Sequence, residues 1–99
     1  MKYVHTIWNH DDNDIGVFFY YEIDDDGYIV RQIEIYKDFS FGIATKDFEY
    51  GNTFISDEKI EFSDIDEIIV SDEDGANTFY ITEIQFNCVW NFFIKLTKI

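Results

Sequence analysis

The residues nearest to a metal-ligand set lie close to the start of the chain. His5 is followed by His10, Asp11, Asp12 and Asp14. His5 falls in an alternating, strand-like segment, so the spacing of these residues fits no compact tetrahedral site. No second cluster of His or Cys supports a zinc ion. We interpret the set as a solvated loop beside a strand histidine and expect no metal, and calorimetry that detects no metal binding near His10 and Asp11 would exclude a metal-dependent enzyme.

A second pattern, from Glu22 to Ile33, resembles a calcium-binding loop. Glu22, Asp24 and Asp26 occupy the first, third and fifth positions, and Gly27 follows at the sixth. The twelfth position requires a bidentate Glu and is Ile33 instead. The flanking segments read as strands, whereas the calcium motif requires helices. We therefore interpret the Asp-Gly pair as a hairpin turn.

The sequence offers no catalytic nucleophile in a recognisable setting. Cys88 is the single cysteine and falls within an apolar helical pattern, which favours a small packing residue over a nucleophile. No Gly-rich elbow precedes any serine, and the carboxylates are too numerous for two to be singled out as an acid–base pair. We expect no catalytic residues, no cofactor and no enzymatic activity. A lone cysteine also excludes an internal disulfide and suits a reducing compartment.

Charge is the most informative global property of the chain. The sequence holds 21 acidic and 7 basic residues, and its net charge is −14. Solubility alone usually needs a net charge of about 2–8 in magnitude, although keeping an aromatic-rich domain soluble is the simplest alternative explanation. Such a surface repels nucleic acid and anionic membranes and attracts basic proteins. We therefore predict a basic protein as the partner.

The acids and aromatics that could contact this partner lie mainly in turns. Clustered carboxylates generate a field that steers a cationic partner, and aromatic side chains beside them can anchor it. The candidate acids are Asp11, Asp12, Asp14, Glu22, Asp24, Asp25, Asp26, Asp57, Glu58, Asp72, Glu73 and Asp74. The candidate aromatic contacts are Tyr20, Tyr28 and Tyr36.

Alternating apolar segments predict the elements that position these residues. The strongest signal is the hairpin formed by residues 17–23 and 28–36 around the Asp-Gly turn. Further strands are predicted at 2–8 and 41–45, and a short extended piece at 78–81. Residues 46–60 could form a short strand pair or an ordered loop, and we favour the loop. In the second hairpin strand, either Arg31 reaches a carboxylate such as Glu22 or a bulge near Arg31–Gln32 resets the register.

Two helices are predicted in the second half of the chain. Ser63 followed by acids favours a short helix over residues 64–69, with Ser63 as the N-cap. Thr82 and Gln85 form a capping box, after which Phe86, Val89 and Trp90 begin an apolar stripe. The sequence therefore predicts one α+β domain over residues 1–99. It contains an antiparallel sheet of about four strands, a C-terminal helix packed on one face and a short additional helix.

Several sequence motifs of this chain resemble those of a set of small bacterial domains encoded near toxin and defence genes. The matching positions are Trp8-x-His10-Asp11, Tyr20-x-Glu22-x-Asp24-Asp25, Val30-Arg31-x-x-Glu34-Ile35, Gly42-x-Ala44 and Ile81-x-x-x-x-Phe86-x-x-x-Trp90. The resemblance implies a role similar to that of immunity proteins in contact-dependent inhibition or related polymorphic-toxin systems. Such proteins bind a toxin's C-terminal domain, often a basic nuclease, and block its active site or substrate face.

The resemblance and the charge lead to one functional hypothesis and one alternative. We expect an immunity protein that neutralises a basic toxin domain; the alternative is an acidic nucleic-acid mimic that inhibits a DNA-binding host or defence protein. Neither function involves binding to nucleic acid or to a membrane. The chain begins without a signal-peptide pattern and has no apolar run of spanning length, so we expect it in the cytoplasm.

Overall fold

The computed structural model describes residues 1–71 and 76–98, and in this part of the chain it forms one sheet and two α-helices. The strands run antiparallel in the order β5-β4-β3-β2-β1-β6. Their bounds are β1 Lys2–Trp8, β2 Phe18–Ile23, β3 Ile29–Ile35, β4 Phe41–Thr45, β5 Glu49–Tyr50 and β6 Ala76–Ile81. The helices are α1 Phe62–Ser71, between β5 and β6, and α2 Glu83–Leu96 after β6.

The α+β class, the antiparallel sheet and the C-terminal helix are confirmed, but the prediction of about four strands is wrong. The described sheet has six strands. The extended piece expected near residues 78–81 is the edge strand β6, which pairs with β1 along its whole length. The second addition is β5, whose two residues pair with β4 inside the segment expected to be a loop.

The predicted hairpin of β2 and β3 is present and contains a bulge. Glu22 pairs with Arg31 while Ile23 pairs with Ile29, so Val30 is the extra residue on β3. The bulge lies directly before Arg31. Both alternatives considered for Arg31 therefore hold, because its guanidinium also reaches Glu22.

Helix α2 packs on one face of the sheet and closes the main core. We call its buried residues the core cluster: Tyr3, Ile33, Ile43, Phe86 and Trp90. Phe86 is fully buried, and its ring centroid lies 5.3 Å from that of Tyr3. The capping box is formed as predicted, since the Thr82 hydroxyl accepts from the Gln85 N–H and the Gln85 side chain accepts from the Thr82 N–H.

The opposite face of the sheet is covered by α1 and the segment before it. Val4, Ile23 and Ile65 form a second buried cluster there. The helix begins at Phe62 rather than after Ser63, so Ser63 lies in the first turn and the expectation of a Ser63 N-cap is wrong. The Glu61 carbonyl oxygen accepts hydrogen bonds from the N–H groups of Asp64 and Ile65. The helix therefore begins earlier in the chain than expected.

A partly buried ion pair joins the hairpin to α2. Arg31 Nε donates to Glu22 Oε1 at 2.6 Å and Arg31 Nη2 to Glu22 Oε2 at 2.8 Å, which gives a bidentate contact. Arg31 Nη2 also donates to Asn87 Oδ1 at 2.9 Å. The guanidinium lies over the rings of Phe86 and Trp90, at 4.8 and 5.0 Å from their centroids. The Arg31 guanidinium holds the pKa of Glu22 below its ordinary value.

Candidate functional site

The predicted acidic residues are divided between the two ends of the sheet. The loop of residues 9–17 follows the Trp8 end of β1, and the turn of residues 36–40 lies at the same end, because Phe18 pairs with Ile35 and Ile35 with Phe41. We call this the loop end. Lys37 Nζ lies 3.7 Å from Asp11 Oδ1, which joins the two segments. The hairpin turn lies at the opposite end, where Lys2 pairs with Ile23. The loop 9–17 and the hairpin turn therefore cannot form one continuous acidic surface.

The three hairpin-turn aspartates have different roles. Asp24 Oδ1 accepts the N–H of Asp26 at 3.0 Å and that of Tyr28 at 2.9 Å, so its carboxylate organises the turn. Asp25 and Asp26 are exposed, and Gly27 takes the positive φ of 94° that the turn requires. Both of these carboxylates are exposed, but that of Asp25 is paired with the N-terminal ammonium of Met1.

The remaining predicted acids also have different surroundings. Asp57 and Glu58 are exposed, and Asp57 lines a shallow depression together with Asp24 and Tyr28. Asp57 therefore belongs to the hairpin end of the sheet. Glu22 is buried in the ion pair with Arg31, so we remove it from the candidate contact surface. Asp72, Glu73 and Asp74 lie outside the described residues.

The predicted aromatic contacts occupy three separate places. Tyr28 is exposed at the hairpin end. Tyr36 is half-buried at the loop end, and its hydroxyl donates to Glu34 Oε1 at 2.8 Å. Burial and the neighbouring Glu34 carboxylate raise the pKa of Tyr36 to about 12. Tyr20 is half-buried on the α2 face of the sheet, where it stacks on His5 with 4.0 Å between ring centroids.

Tyr20 belongs to a feature that the sequence did not predict, an apolar groove between α2 and the sheet. The groove has a volume of about 680 Å³, within the range of about 300–1,000 Å³ of ligand pockets. The sheet side is lined by His5, Phe18, Tyr20, Ile35 and Phe41, and the turn after β3 adds Phe39. The helix side is lined by Cys88, Val89, Phe92, Phe93 and Leu96. We call this set of residues the aromatic groove.

Two large aromatic side chains at the aromatic groove are exposed to solvent. Phe39 is 81 % exposed and Phe92 is 63 % exposed. Phe39 also has a φ of 66°, and it is the one residue other than glycine with a positive φ among residues 1–71 and 76–98. The left-handed conformation costs a residue with a Cβ roughly 1–2 kcal/mol. The turn thus bears strain and leaves an aromatic ring exposed beside the groove.

His5 supplies a neutral polar group to the aromatic groove. Its Nδ1 lies 2.9 Å from the Phe19 carbonyl oxygen, which can only accept, so Nδ1 carries the proton. The ring also meets Phe79 edge-on, at 5.1 Å between centroids. Burial lowers the pKa of His5 below its ordinary value, with the hydrogen bond to Phe19 opposing the shift. The uncharged imidazole therefore leaves the lone pair of Nε2 as a hydrogen-bond acceptor.

Cys88 is exposed on α2, which corrects the expectation that it is a packing residue. It belongs to a second apolar stripe on this helix, at spacings of four residues, which contains Ile84, Cys88, Phe92 and Leu96. All four residues of this second stripe are exposed, whereas Phe86 and Trp90 of the predicted stripe are buried. The spacing was readable in the sequence, and it was the signal that could have revealed the groove.

The aromatic groove lies at the loop end of the sheet. Its lining residues Phe18, Ile35 and Phe41 form the last row of strand pairs before the loop and the turn. The acids on these two segments are Asp11, Asp12, Asp14 and Asp38, all exposed, and the segments contain one Lys, Lys37, and no Arg. Lys95 and Lys98, also exposed, flank Leu96 at the end of α2. An apolar groove and four exposed carboxylates are therefore found together at this end.

The described residues contain neither a metal-ligand cluster nor a membrane-spanning helix. In residues 1–71 and 76–98, no group of three or more His, Cys, Asp or Glu side chains is placed to hold a metal ion. Over the same part of the chain, neither helix has the length and apolar character needed to cross a membrane.

Comparison with known proteins identifies a family. No curated protein and no solved structure matches this chain. The family described as "Domain of unknown function (DUF6881)" matches residues 2–95. This match spans nearly the whole chain, from the first residue of β1 to the last turn of α2. The chain belongs to the DUF6881 family.

Proposed function

We propose that this protein is an immunity protein that binds and neutralises a basic toxin domain of the nuclease type. The observation that carries the proposal is the exposure of the acidic turns on a body of net charge −14. Exposed carboxylates are found at both ends of the sheet, at Asp11, Asp12 and Asp14 and at Asp25, Asp26, Asp57 and Glu58. The resemblance to small domains encoded near toxin genes supplies the biological setting, which is the cytoplasm of the producing cell.

The proposed mechanism has an electrostatic step followed by occlusion. The negative field attracts a cationic toxin domain, and such steering can raise association rate constants toward about 10⁸–10⁹ M⁻¹s⁻¹ at low salt. Carboxylates then occupy the positions where the toxin would bind phosphate groups, so its substrate is excluded. This mechanism needs no metal, cofactor or catalytic residue in the immunity protein.

Co-expression with the toxin domain encoded by an adjacent gene tests the proposal. We expect that domain alone to stop growth and co-expression with this protein to restore it. We also expect stopped-flow association to slow steeply as salt rises, because screening shortens the range of the field. A toxin that remains lethal during co-expression, or an association rate that is insensitive to salt, would contradict the proposal.

The same exposed carboxylates support the alternative function, an acidic mimic of nucleic acid that inhibits a DNA-binding host or defence protein. Such a mimic would compete with duplex DNA for a protein that is not a toxin. Genomic context separates the two functions: an adjacent toxin gene favours immunity, and a phage or plasmid setting favours the mimic.

A further inference from the structure

We propose that the aromatic groove binds a cationic amphipathic segment of the partner, with apolar side chains in the groove and Lys or Arg side chains against the carboxylates of the loop end. This inference rests on the proposed function, because it names the chemistry by which a basic partner is recognised. It adds that binding is not distributed evenly over the acidic surface.

The shape and lining of the groove supply the apolar part of the argument. Phe92 and Leu96 project from α2 without being covered by the sheet, while Phe18, Tyr20 and Phe41 line the opposite wall. Contiguous apolar surface of this kind marks binding sites in soluble proteins, and aromatic anchors dominate the energetics of interfaces. An amphipathic helix in such a groove is a recurrent mode of peptide recognition.

Charge determines which occupant fits. Asp11, Asp12, Asp14 and Asp38 are exposed on the segments beside the groove, and Lys37 already lies near Asp11. A cationic partner gains favourable contacts with these carboxylates. A second copy of this chain would bring another net charge of −14 to the same surface, and mutual repulsion opposes that pairing. Charge complementarity therefore selects a basic segment over self-association.

Phe39 supports the same conclusion independently. Glycine would adopt the φ of 66° at this position without strain, yet the chain has an aromatic residue that is 81 % exposed. The side chain contributes little to the core because most of its surface remains in water. Strain at an exposed position is characteristic of binding sites, where it holds a contact group in place.

Three synthetic peptides test the proposal directly on the whole protein. The first is an amphipathic helix with leucines on one face and lysines on the other; the second has the same composition in scrambled order; the third has glutamates in place of the lysines. At about 0.15 M salt, where surface charges beyond about 8 Å are screened, we expect the first to bind at least about tenfold more tightly than either control.

Cys88 reports where the peptide binds. It is the single cysteine of the chain, is exposed and lines the groove. We expect the amphipathic cationic peptide to slow alkylation of this thiol by iodoacetamide several-fold, and the scrambled peptide to leave the rate unchanged. Neutral iodoacetamide avoids repulsion from the acidic surface.

Matched variants distinguish the groove from apolar surface in general. Phe92→Ser removes an exposed ring from the groove, and Phe54→Ser removes one that is 68 % exposed and lies on the opposite side of the sheet. We expect the first variant to lose the preference for the amphipathic cationic peptide and the second to keep it. Circular dichroism of both variants checks that each remains folded.

Four outcomes would overturn the proposal. Equal binding of the scrambled peptide would show that charge alone acts, and equal binding of the acidic peptide would show that charge is irrelevant. An unchanged preference in Phe92→Ser would place binding elsewhere. Sedimentation of a dimer that Phe92→Ser dissociates would assign the groove to a second copy. Growth rescue by the wild-type protein is a separate measurement, so failure of the groove and failure of the immunity function remain distinguishable.

Discussion

The core cluster and the aromatic groove lie on the same face of the sheet and share helix α2. Phenylalanine side chains of this helix are nevertheless buried in the first and exposed in the second. Phe86 is 0 % exposed against Tyr3 and Trp90, whereas Phe92, further along the same helix, is 63 % exposed. The helix crosses the sheet so that its first stripe is covered and its second stripe is left open at the loop end. Position relative to the sheet, rather than residue type, separates a stabilising aromatic from one available for binding.

This difference predicts how the two regions respond to substitution. Core residues contribute to stability because burial removes their apolar surface from water. Phe39 and Phe92 of the groove are mostly exposed in the free protein, so the corresponding gain is available only when a partner covers them. Substitution should therefore change folding in the core cluster and binding at these two groove residues.

The largest expected effect is that of Phe86→Ala. Removing a fully buried ring leaves a cavity and should lower the unfolding free energy by about 4 kcal/mol. Phe92→Ala is the matched control on the same helix and should change it by no more than about 0.5 kcal/mol, as expected for a surface position. Urea denaturation measures both. Comparable losses of unfolding free energy in the two variants would contradict the distinction between core and groove.

The next effect concerns the ion pair that joins the hairpin to α2. Glu22→Gln removes the negative charge and one of the two acceptor oxygens, so the Arg31 guanidinium beside Phe86 and Trp90 keeps only the Gln amide oxygen and Asn87 as described acceptors. We expect a loss of about 2 kcal/mol, the scale for losing a hydrogen bond between charged groups in a partly buried pair. The exposed Asp57→Asn is the control and should be nearly neutral. A loss in Glu22→Gln no larger than that of Asp57→Asn would mean that the ion pair contributes little to holding the hairpin against α2.

A smaller effect of opposite sign is expected at Phe39. Phe39→Gly relieves the strain of the left-handed backbone but makes the unfolded chain more flexible, and we expect a net gain of about 1 kcal/mol. Phe54 is also exposed but is not among the residues with positive φ. Phe54→Gly should therefore lose stability. Thermal unfolding compares the two, and a Phe39→Gly variant that loses as much stability as Phe54→Gly would show that the positive φ of Phe39 carries no strain.

The smallest effect is a pH dependence that originates at His5. The pKa of His5 is lowered in the folded state from an ordinary value of 6.5, so the unfolded chain binds the proton more readily. Stability from this group is therefore fully present above about pH 6.5 and is lost as pH falls through the lower folded-state value. His5→Asn retains a donor for the Phe19 carbonyl but cannot titrate. It should therefore reduce the change of unfolding free energy with pH, measured by urea denaturation between pH 8 and about pH 5. An unchanged slope would assign the dependence to another group.

The elements with strong local signals could be predicted from sequence. The hairpin followed from an Asp-Gly turn between alternating segments, and α2 followed from a capping box and an apolar stripe. Strands β1 and β4 have the predicted bounds, Lys2–Trp8 and Phe41–Thr45. In each case a few neighbouring residues determine the backbone conformation, so no knowledge of distant contacts was needed.

The parts that were not predicted depend on contacts between distant residues. The extended character of β6 was visible, but its pairing with β1 joins residues about 70 positions apart, as Thr6 and Thr78 show with hydroxyls 2.9 Å apart. Strand β5 has two residues, too few for an alternating pattern. The candidate site was only partly predictable for the same reason. The acidic turns were visible one by one, but their separation to opposite ends of the sheet and the aromatic groove arise from the assembled fold.

The affinity of Phe39→Gly for the amphipathic cationic peptide tests the central claim most directly. We predict binding at least about tenfold weaker than that of the wild-type protein, in a variant that is no less stable. Loss of affinity without loss of stability would separate binding from folding at a single residue beside the aromatic groove. Unchanged affinity in a folded Phe39→Gly would contradict the claim that this end of the molecule is the binding surface.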